Sequence, residues 1–349
     1  MNTKTAIYAL TAKGAELARS IAPEADAVCY VLERYADDSD ISYTQFLPLI
    51  AETFSLYDSH IFIAASGIVV RAIAPHLESK DKDPAVVVLD QEGQFVISLL
   101  SGHLGGANEL AYMIAGKIGA TAVVTTATDC AGVPSIDMLA QKNGLVIGEI
   151  DRIKTVNSAL LDGEMVGVYD PEGDMDLDGL SAYFYRVENV RELADLRCGV
   201  CIDWRVHVLP ESVLKLYPQC LRLGVGCRRG VPAEEIYALI VAVLADHGVA
   251  GQSIGSMSSI DAKSDEVGML EFAERMGLEI KFFSADELDK IKGTNPSGMV
   301  MKHMGVGSVC EAAAMKQAGT MDLIIPKNKS ARVTMAVAKD LIIKGVLES

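Results

Sequence analysis

The stretch HIFIAASGIVVRAIAPH, residues 60–76, reads as one strand–loop–helix unit. Its first six residues form a largely apolar run of strand length, Ser66-Gly67 interrupts it, and the remainder has helical spacing that Ser66 can cap. Working outward, β-rich runs at 5–10, 27–32, 85–89, 95–99 and 122–126 alternate with helical stretches at 13–22, 44–54 and 105–118. This alternation predicts an α/β domain over 1–130 with a largely parallel sheet, interrupted by an antiparallel pair between 85 and 100.

From about Gly132 the pattern loosens. The segment 131–218 is acidic, contains the polar loop DPEGDMDLDG at 170–179, and offers only short strands such as 166–168 and 183–187. It reads as a smaller, irregular α+β region. After Pro218 the alternation returns: strands at 221–225, 253–260, 279–283 and 322–325, helices at 233–247, 265–276 and 308–317, and a last strand or helix from Arg332. Ser284 and Glu287 have capping-box spacing for a further short helix. The chain of 349 residues exceeds one hydrophobic core, so the expectation is two α/β domains, 1–130 and 219–349, flanking the central region.

Half of the residues are apolar and the formal net charge is -16. Residues 1–219 hold 16 Lys/Arg against 31 Asp/Glu, and residues 220–349 hold 15 against 16. So acidic a surface repels phosphate backbones, which argues against nucleic acid, and any anionic ligand needs a local cluster of cations. The apolar run 6–10 is too short for a signal peptide, and nothing approaches a membrane span. Seven cysteines, an odd number without regular spacing, fit a reducing compartment, and a cytoplasmic protein is expected. Cys198-Gly-Val-Cys201 lacks a second pair, so no metal site is expected. Oligomeric state is not legible.

In open α/β sheets ligands gather beyond the carboxyl ends of strands, a rule that selects four loops. In the first, Ser66 and Gly67 allow a ligand to approach, and Arg71 offers a forked cation for a carboxylate; a capped helix with a solvated arginine is the plainer reading. The second, SGHLGGANE at 101–109, presents His103 among Gly102, Gly105 and Gly106, beside Ser101 and Asn108. An imidazole there can act as a general base or acid. The third, GVGCRRGVP at 224–232, places Gly226, Arg228 and Arg229 before a helix as an anion site, with Cys227 read as a small buried thiol. The fourth, SSIDAKSDE at 258–266, holds Asp261 and Lys263, while Asp265 and Glu266 fall in a first helical turn. A lysine so placed is unfavourable unless a ligand or a carboxylate compensates it. The basic turn at 327–332 is either solvated or a cover over an anionic ligand.

GIVVRAIAPHL at 67–77, SGHLGGANELA at 101–111, GVGCRRGVP at 224–232, SSIDAKSDEVGMLEFAERMG at 258–277 and GSVCEAAAMKQAG at 307–319 resemble, in order and spacing, the cobalt-precorrin-5A hydrolase family. Ala312 stands where that family often has proline. The resemblance implies an enzyme of the anaerobic cobalamin pathway that opens a δ-lactone on a corrin precursor and releases acetaldehyde, with a C-terminal domain similar to a stand-alone protein of the aerobic pathway. It implies a tetrapyrrole substrate that brings its own cobalt, no protein cofactor, and at most transient contact with neighbouring pathway enzymes. On this reading His103 is the base, with Arg71 and Asn108 beside it and Gly-rich backbone N–H groups as oxyanion donors. Substrate carboxylates would meet Arg71, Arg228, Arg229, Lys263 and Lys329. Two other classes compete: a non-catalytic corrinoid carrier, and a nucleotide-dependent dehydrogenase, against which the loop Thr11-Ala12-Lys13-Gly14 lacks the dinucleotide fingerprint.

Overall fold

The computed structural model describes residues 4–79, 82–291 and 308–341, which carry three sheets. The chain divides into two compact units, Met1–Gln141 with Asn157–Glu164 and Lys142–Val156 with Met165–Ser349. No helix among the described residues is long and apolar enough to cross a membrane.

The first unit holds β1 (Thr5–Ala9), α1 (Ala12–Ile21), β2 (Ala27–Leu32), β3 (Ile41–Tyr43), α2 (Phe46–Thr53), β4 (Ser59–Ile63), α3 (Ser66–Ile73), β5 (Ala85–Leu89), β6 (Phe95–Leu100), α4 (Ala107–Ile118), β7 (Thr121–Val123), α5 (Ala127–Ala131) and α6 (Ile136–Lys142). The sheet order is β3-β2-β1-β4-β5-β6-β7. Strands β1, β4 and β5 are buried along their whole length, as parallel strands covered on both faces must be. One face packs Ile7, Ile61, Val87 and Val96 under α1 and α4; the other packs Tyr8, Phe62 and Val86 under α2 and α3. His60 lies wholly inside the second face, its ring nitrogens bonded to Tyr8 Oη at 3.1 Å and the Phe54 carbonyl at 3.1 Å. Burial lowers its pKa to about 4, so it is a neutral core residue.

The one reversal in this sheet decides where its loops go. Strands β1 to β5 run parallel, β6 is antiparallel to β5, and β7 is parallel to β6. The turn between β5 and β6 is tied by Asp90, whose carboxylate accepts the N–H groups of Glu92, Gln94 and Phe95 at 2.7–3.0 Å, with Gly93 at φ 64°. The antiparallel pair expected between 85 and 100 is therefore present. Its consequence is that β6 and β7 end at the edge where β1, β4 and β5 begin, and Ser101 Oγ donates to the carbonyl of Asp83, just ahead of β5.

The second unit contains two sheets. The central one joins β8 (Leu145–Ile147), β9 (Val166–Tyr169), β10 (Phe184–Arg186), β11 (Gly199–Ile202) and β12 (Val213–Pro218) in the order β10-β9-β11-β12-β8. Helix α7 (Ile153–Leu161) separates β8 from β9, and its residues from Asn157 onward group with the first unit. The central region is more regular than expected: four of its strands are parallel, and β8 is antiparallel at the edge. Its short strands, three to six residues each, are what obscured it.

The last sheet has the order β15-β14-β13-β17-β16, from β13 (Leu221–Cys227), β14 (Ile254–Ile260), β15 (Glu279–Phe283), β16 (Leu323–Lys329) and β17 (Val333–Lys339). Helices α8 (Ala233–Asp246), α9 (Val267–Met276), the capping-box helix α10 (Ala285–Asp289) and the helix Val309–Ala318 accompany it. The segment from Arg332 is a strand, settling the alternative left open by its sequence. Helix Val309–Ala318 is buried on nearly every side, and its small residues let it approach so closely that a Cβ on Gly224 would stand 1.9 Å from the Cys310 carbonyl oxygen. Trp204, from the central segment, is buried in the core built by residues 221–337.

Candidate active site

At the edge where β6 and β7 end, residues from the short helices α5 and α6 and from the loop between them converge on His103. Its Nδ1 lies 3.0 Å from Asp137 Oδ2 and its Nε2 lies 3.0 Å from Asp129 Oδ2. Ser135 Oγ approaches Nδ1 at 3.3 Å, and Thr128 Oγ1 approaches Nε2 at 3.2 Å. An imidazole with a carboxylate at each nitrogen is held as imidazolium, both N–H groups donating. The bond to Asp137 raises the His103 pKa, burial opposes it, and Asp129 adds to the rise. Burial alone would push the Asp137 carboxyl up, but hydrogen bonds from His103, Ser135 and Asn157 outweigh it and hold the pKa at about 2.

The supporting residues are locked in turn. Asn157 Oδ1 accepts the Ile136 N–H at 2.9 Å, which fixes the amide so that Nδ2 donates to Asp137 Oδ1 at 3.0 Å. Asn108 Nδ2 donates to Asp129 Oδ2 and Thr126 Oγ1, both at 3.1 Å, while its Oδ1 accepts from Ser98 Oγ at 2.7 Å. Asp137 is buried, whereas the Asp129 side chain is 30% exposed. No donor meets Asp129 Oδ1 among the described residues.

The loop itself requires its glycines. Ser101 sits at φ 55°, a conformation costly for a residue with a side chain, and Gly106 at φ 86° opens α4. A Cβ on Gly102 would lie 2.6 Å from Asn108 Oδ1, and one on Gly105 would lie 2.4 Å from Ser101 Cβ. The backbone N–H groups of His103, Leu104 and Gly105 meet no acceptor among the described residues.

Both carboxylates favour a charged cluster, and stability follows. Asp137, depressed below its ordinary 3.8, contributes stability that is complete above about pH 4 and is lost as pH falls toward 2. His103, raised above 6.5, contributes stability that is complete below that pH and is lost as pH rises through its folded value. Thermal melts of the protein and of His103→Asn are therefore expected to differ most between about pH 4 and 6.5, the gap closing on either side. A gap independent of pH would mean that the cluster is not ionised as described.

The other loops separate from this cluster. Ser66 and Gly67 open α3 at the opposite edge of the same sheet, because β4 runs against β6. Ser66 does not cap the helix: Ala65 occupies the cap position, and no side-chain bond is made there. Further along α3, exposed Arg71 turns back to donate to the Gly67 carbonyl at 3.0 Å. Between α3 and the sheet lies a mainly apolar cleft of about 510 Å³, lined among others by Thr11, Ser66, Ile68, Phe95, Ile97 and Val123. It sits beyond β1 and β4, where the strand order reverses, the usual binding crevice of such sheets.

In the second unit the expected anion site is largely neutralised from within. Arg229 bonds Asp265 and donates to the Ala262 carbonyl at 2.8 Å. Buried Lys263 is compensated by Glu266 at 3.4 Å, and Glu266 also accepts the Gly230 N–H at 2.6 Å. Helix α9 begins only at Val267, so Asp265 and Glu266 precede its first turn instead of filling it. Arg228 and Asp261 are exposed, while Gly226 gives its carbonyl to Thr334 Oγ1 at 3.2 Å. Cys227 is part-buried, not the buried thiol expected, and burial raises its thiol, which does not fit an activated nucleophile. Cys198 and Cys201 are buried and form no disulfide, and no group of three His, Cys, Asp or Glu suited to a metal occurs among the described residues.

Thr128, Asp129, Ser135, Asp137 and Asn157 were absent from the sequence-derived set. The strand-exit rule that selected four loops applies equally to TTATD at 125–129, directly after β7, and would have found Thr128 and Asp129.

Over residues 48–129, 134–218 and 221–338 the chain matches, in turn, the family models described as Cobalamin synthesis G N-terminal, Cobalamin biosynthesis central region and Cobalamin synthesis G C-terminus. It is 36% identical over 320 residues to the Cobalt-precorrin-5A hydrolase of Salmonella typhimurium, covering 88% of this chain and 90% of that one. The enzyme of the same name from Priestia megaterium is 32% identical over 353 residues, covering 95% and 94%. Protein CobE of a Sinorhizobium species is 38% identical over 121 residues, or 34% of this chain and 79% of that protein.

Proposed function

The chain belongs to the cobalt-precorrin-5A hydrolase family of cobalamin biosynthesis, and on that premise we propose that it opens the δ-lactone of cobalt-precorrin-5A at the His103 cluster and releases acetaldehyde. The observation that carries the assignment to this cluster is the imidazole held between one buried and one part-exposed carboxylate.

In this reading the proton-accepting group is the Asp129–His103 pair. Asp129 Oδ1 takes a proton from water as the hydroxide oxygen adds to the lactone carbonyl carbon. The unpartnered N–H groups of residues 103–105 donate to the oxyanion that forms. Collapse breaks the ring C–O bond, and the proton held by the pair passes to the departing alkoxide. The freed hydroxyl then loses its proton to the same pair, the adjoining C–C bond breaks, acetaldehyde leaves, and the electron pair enters the conjugated macrocycle. Asp137, fixed by Asn157, keeps the ring oriented throughout; Asn108 holds Asp129. Cobalt is part of the substrate and takes no protein ligand in this scheme.

The test is anaerobic incubation with cobalt-precorrin-5A, following acetaldehyde and the loss of two carbons by mass spectrometry. Acetaldehyde over many turnovers is expected. Tight binding with none released would favour the corrinoid carrier instead.

A further inference from the structure

Strand β6 has two different faces. Helix α4 packs on one, over Val96, and Ser98 on that side bonds Asn108. On the other face, β6 packs only in part against the core that α3 joins. Phe95 is 47% exposed, Ile68 on the flank of α3 is 43% exposed, and Ile97, Leu99 and Val123 are only half-buried. The result is a flat apolar strip. It starts in the cleft beside Ser66 and runs along β6 toward the strand end from which the loop bearing Ser101 and His103 leaves.

Apolar sheet surface left open in this way is costly in water unless something flat covers it. At about 3.3 Å per residue the strip from Phe95 to Leu100 is about 17 Å long, comparable to the breadth of a tetrapyrrole ring with its side arms. Arg71 stands three residues after Ile68, on the same side of α3, so a cation borders the strip where ring carboxylates would project. The Asp90 carboxylate at the upper rim is occupied by three backbone N–H groups, which limits its repulsion of an anionic ligand.

We infer that the open face of β6 and β7 is the bed on which the corrin macrocycle lies, one rim in the Ser66 cleft and the lactone-bearing rim over His103. This placement rests on the reading of the His103 cluster as the lactone-opening site. It gives a role to Ser66, Gly67 and Arg71, which make no bond to that cluster: they hold the far rim of the ring.

Phe95→Glu and Ile68→Glu set a carboxylate on the strip at exposed positions where folding tolerates charge. Tyr112→Glu, on α4 and 53% exposed, is the control. Cobalt-precorrin-5A is titrated anaerobically by absorbance into these variants, His103→Asn and the unsubstituted protein, with acetaldehyde followed in parallel. Binding about tenfold weaker or more is expected for both strip variants, unchanged binding for Tyr112→Glu, and retained binding without acetaldehyde for His103→Asn. If the strip variants bind as tightly as the unsubstituted protein while it turns over, the bed is wrong and the hydrolase reading stands. If the unsubstituted protein releases no acetaldehyde but the strip variants still bind weakly, the strip stands as the ring-binding surface, while the hydrolase reading falls and with it the placement of the lactone rim over His103. No binding by the unsubstituted protein overturns both.

Discussion

His103→Asn is expected to lower the turnover of cobalt-precorrin-5A by about 10²- to 10⁴-fold, the range for loss of one positioned acid–base group. At the middle of that range the barrier rises by about 4 kcal/mol. The asparagine amide retains one donor and one acceptor, so Asp137 and Asp129 keep a polar neighbour and the loop at 101–106 keeps its shape. Three relations of the imidazole are lost: the proton shared with Asp129, the ion pair with Asp137, and the ability to cycle a proton between them. Asp129→Asn should fall nearly as far, because on the proposed mechanism it removes the carboxylate oxygen that takes the proton from water. Since the two residues act as a pair, the double variant should be little worse than either single one. Steady-state acetaldehyde release from the two single variants and the double variant checks this. Additive losses, or full activity in His103→Asn, would remove the cluster from the mechanism.

Gly224→Val should destabilise the second unit by about 3 kcal/mol or more, at the upper end of overpacking costs, because relief requires backbone to move and not a side chain. A β-carbon at Gly224 meets the Cys310 carbonyl oxygen at 1.9 Å and the Ala314 nitrogen at 2.9 Å. The helix carrying both atoms packs Ala314 and Cys310 against Ala336 and Ala338 on β17, so it has no slack in which to withdraw. For about 200 residues each kcal/mol lowers Tm by roughly 2–4 °C, which predicts a fall near 10 °C. Gly116→Ala is the counter-case. Gly116 lies in the exposed interior of α4 with nothing within 4 Å of an added Cβ, and alanine there should stabilise by roughly 0.5–1 kcal/mol. Thermal melts of both variants decide the matter; a Gly224→Val protein melting with the unsubstituted one would mean the helix stands farther from β13 than described.

What the sequence disclosed and withheld follows from the range of the interactions concerned. Strands such as 27–32, 85–89 and 279–283 were legible to the residue because their apolar character is local. The capping box at Ser284 and Glu287 was legible for the same reason. His103 stood out through its three neighbouring glycines. Its partners did not, since Asp129 and Asp137 are 26 and 34 residues away in the chain and reach the imidazole only because β6 and β7 both end beside it. Lys263 was flagged correctly as needing compensation, but whether a ligand or Glu266 supplied it depended on where α9 began. The strand-exit rule treated Ser66 and His103 alike. The antiparallel β5–β6 pair was foreseen, yet what it does to the edge on which each loop emerges was not.

That same reversal divides labour within one layer of backbone. A β-sheet whose strands all ran alike would crowd grip and chemistry into the same rim, where each change in fit would disturb the proton-transferring groups. On the proposed assignment, a tight turn anchored by a single aspartate, Asp90, sends them to opposite rims of one sheet. On that assignment, the rim proposed to hold the ring can drift toward other ring substituents while the rim proposed to cleave it stays as it is.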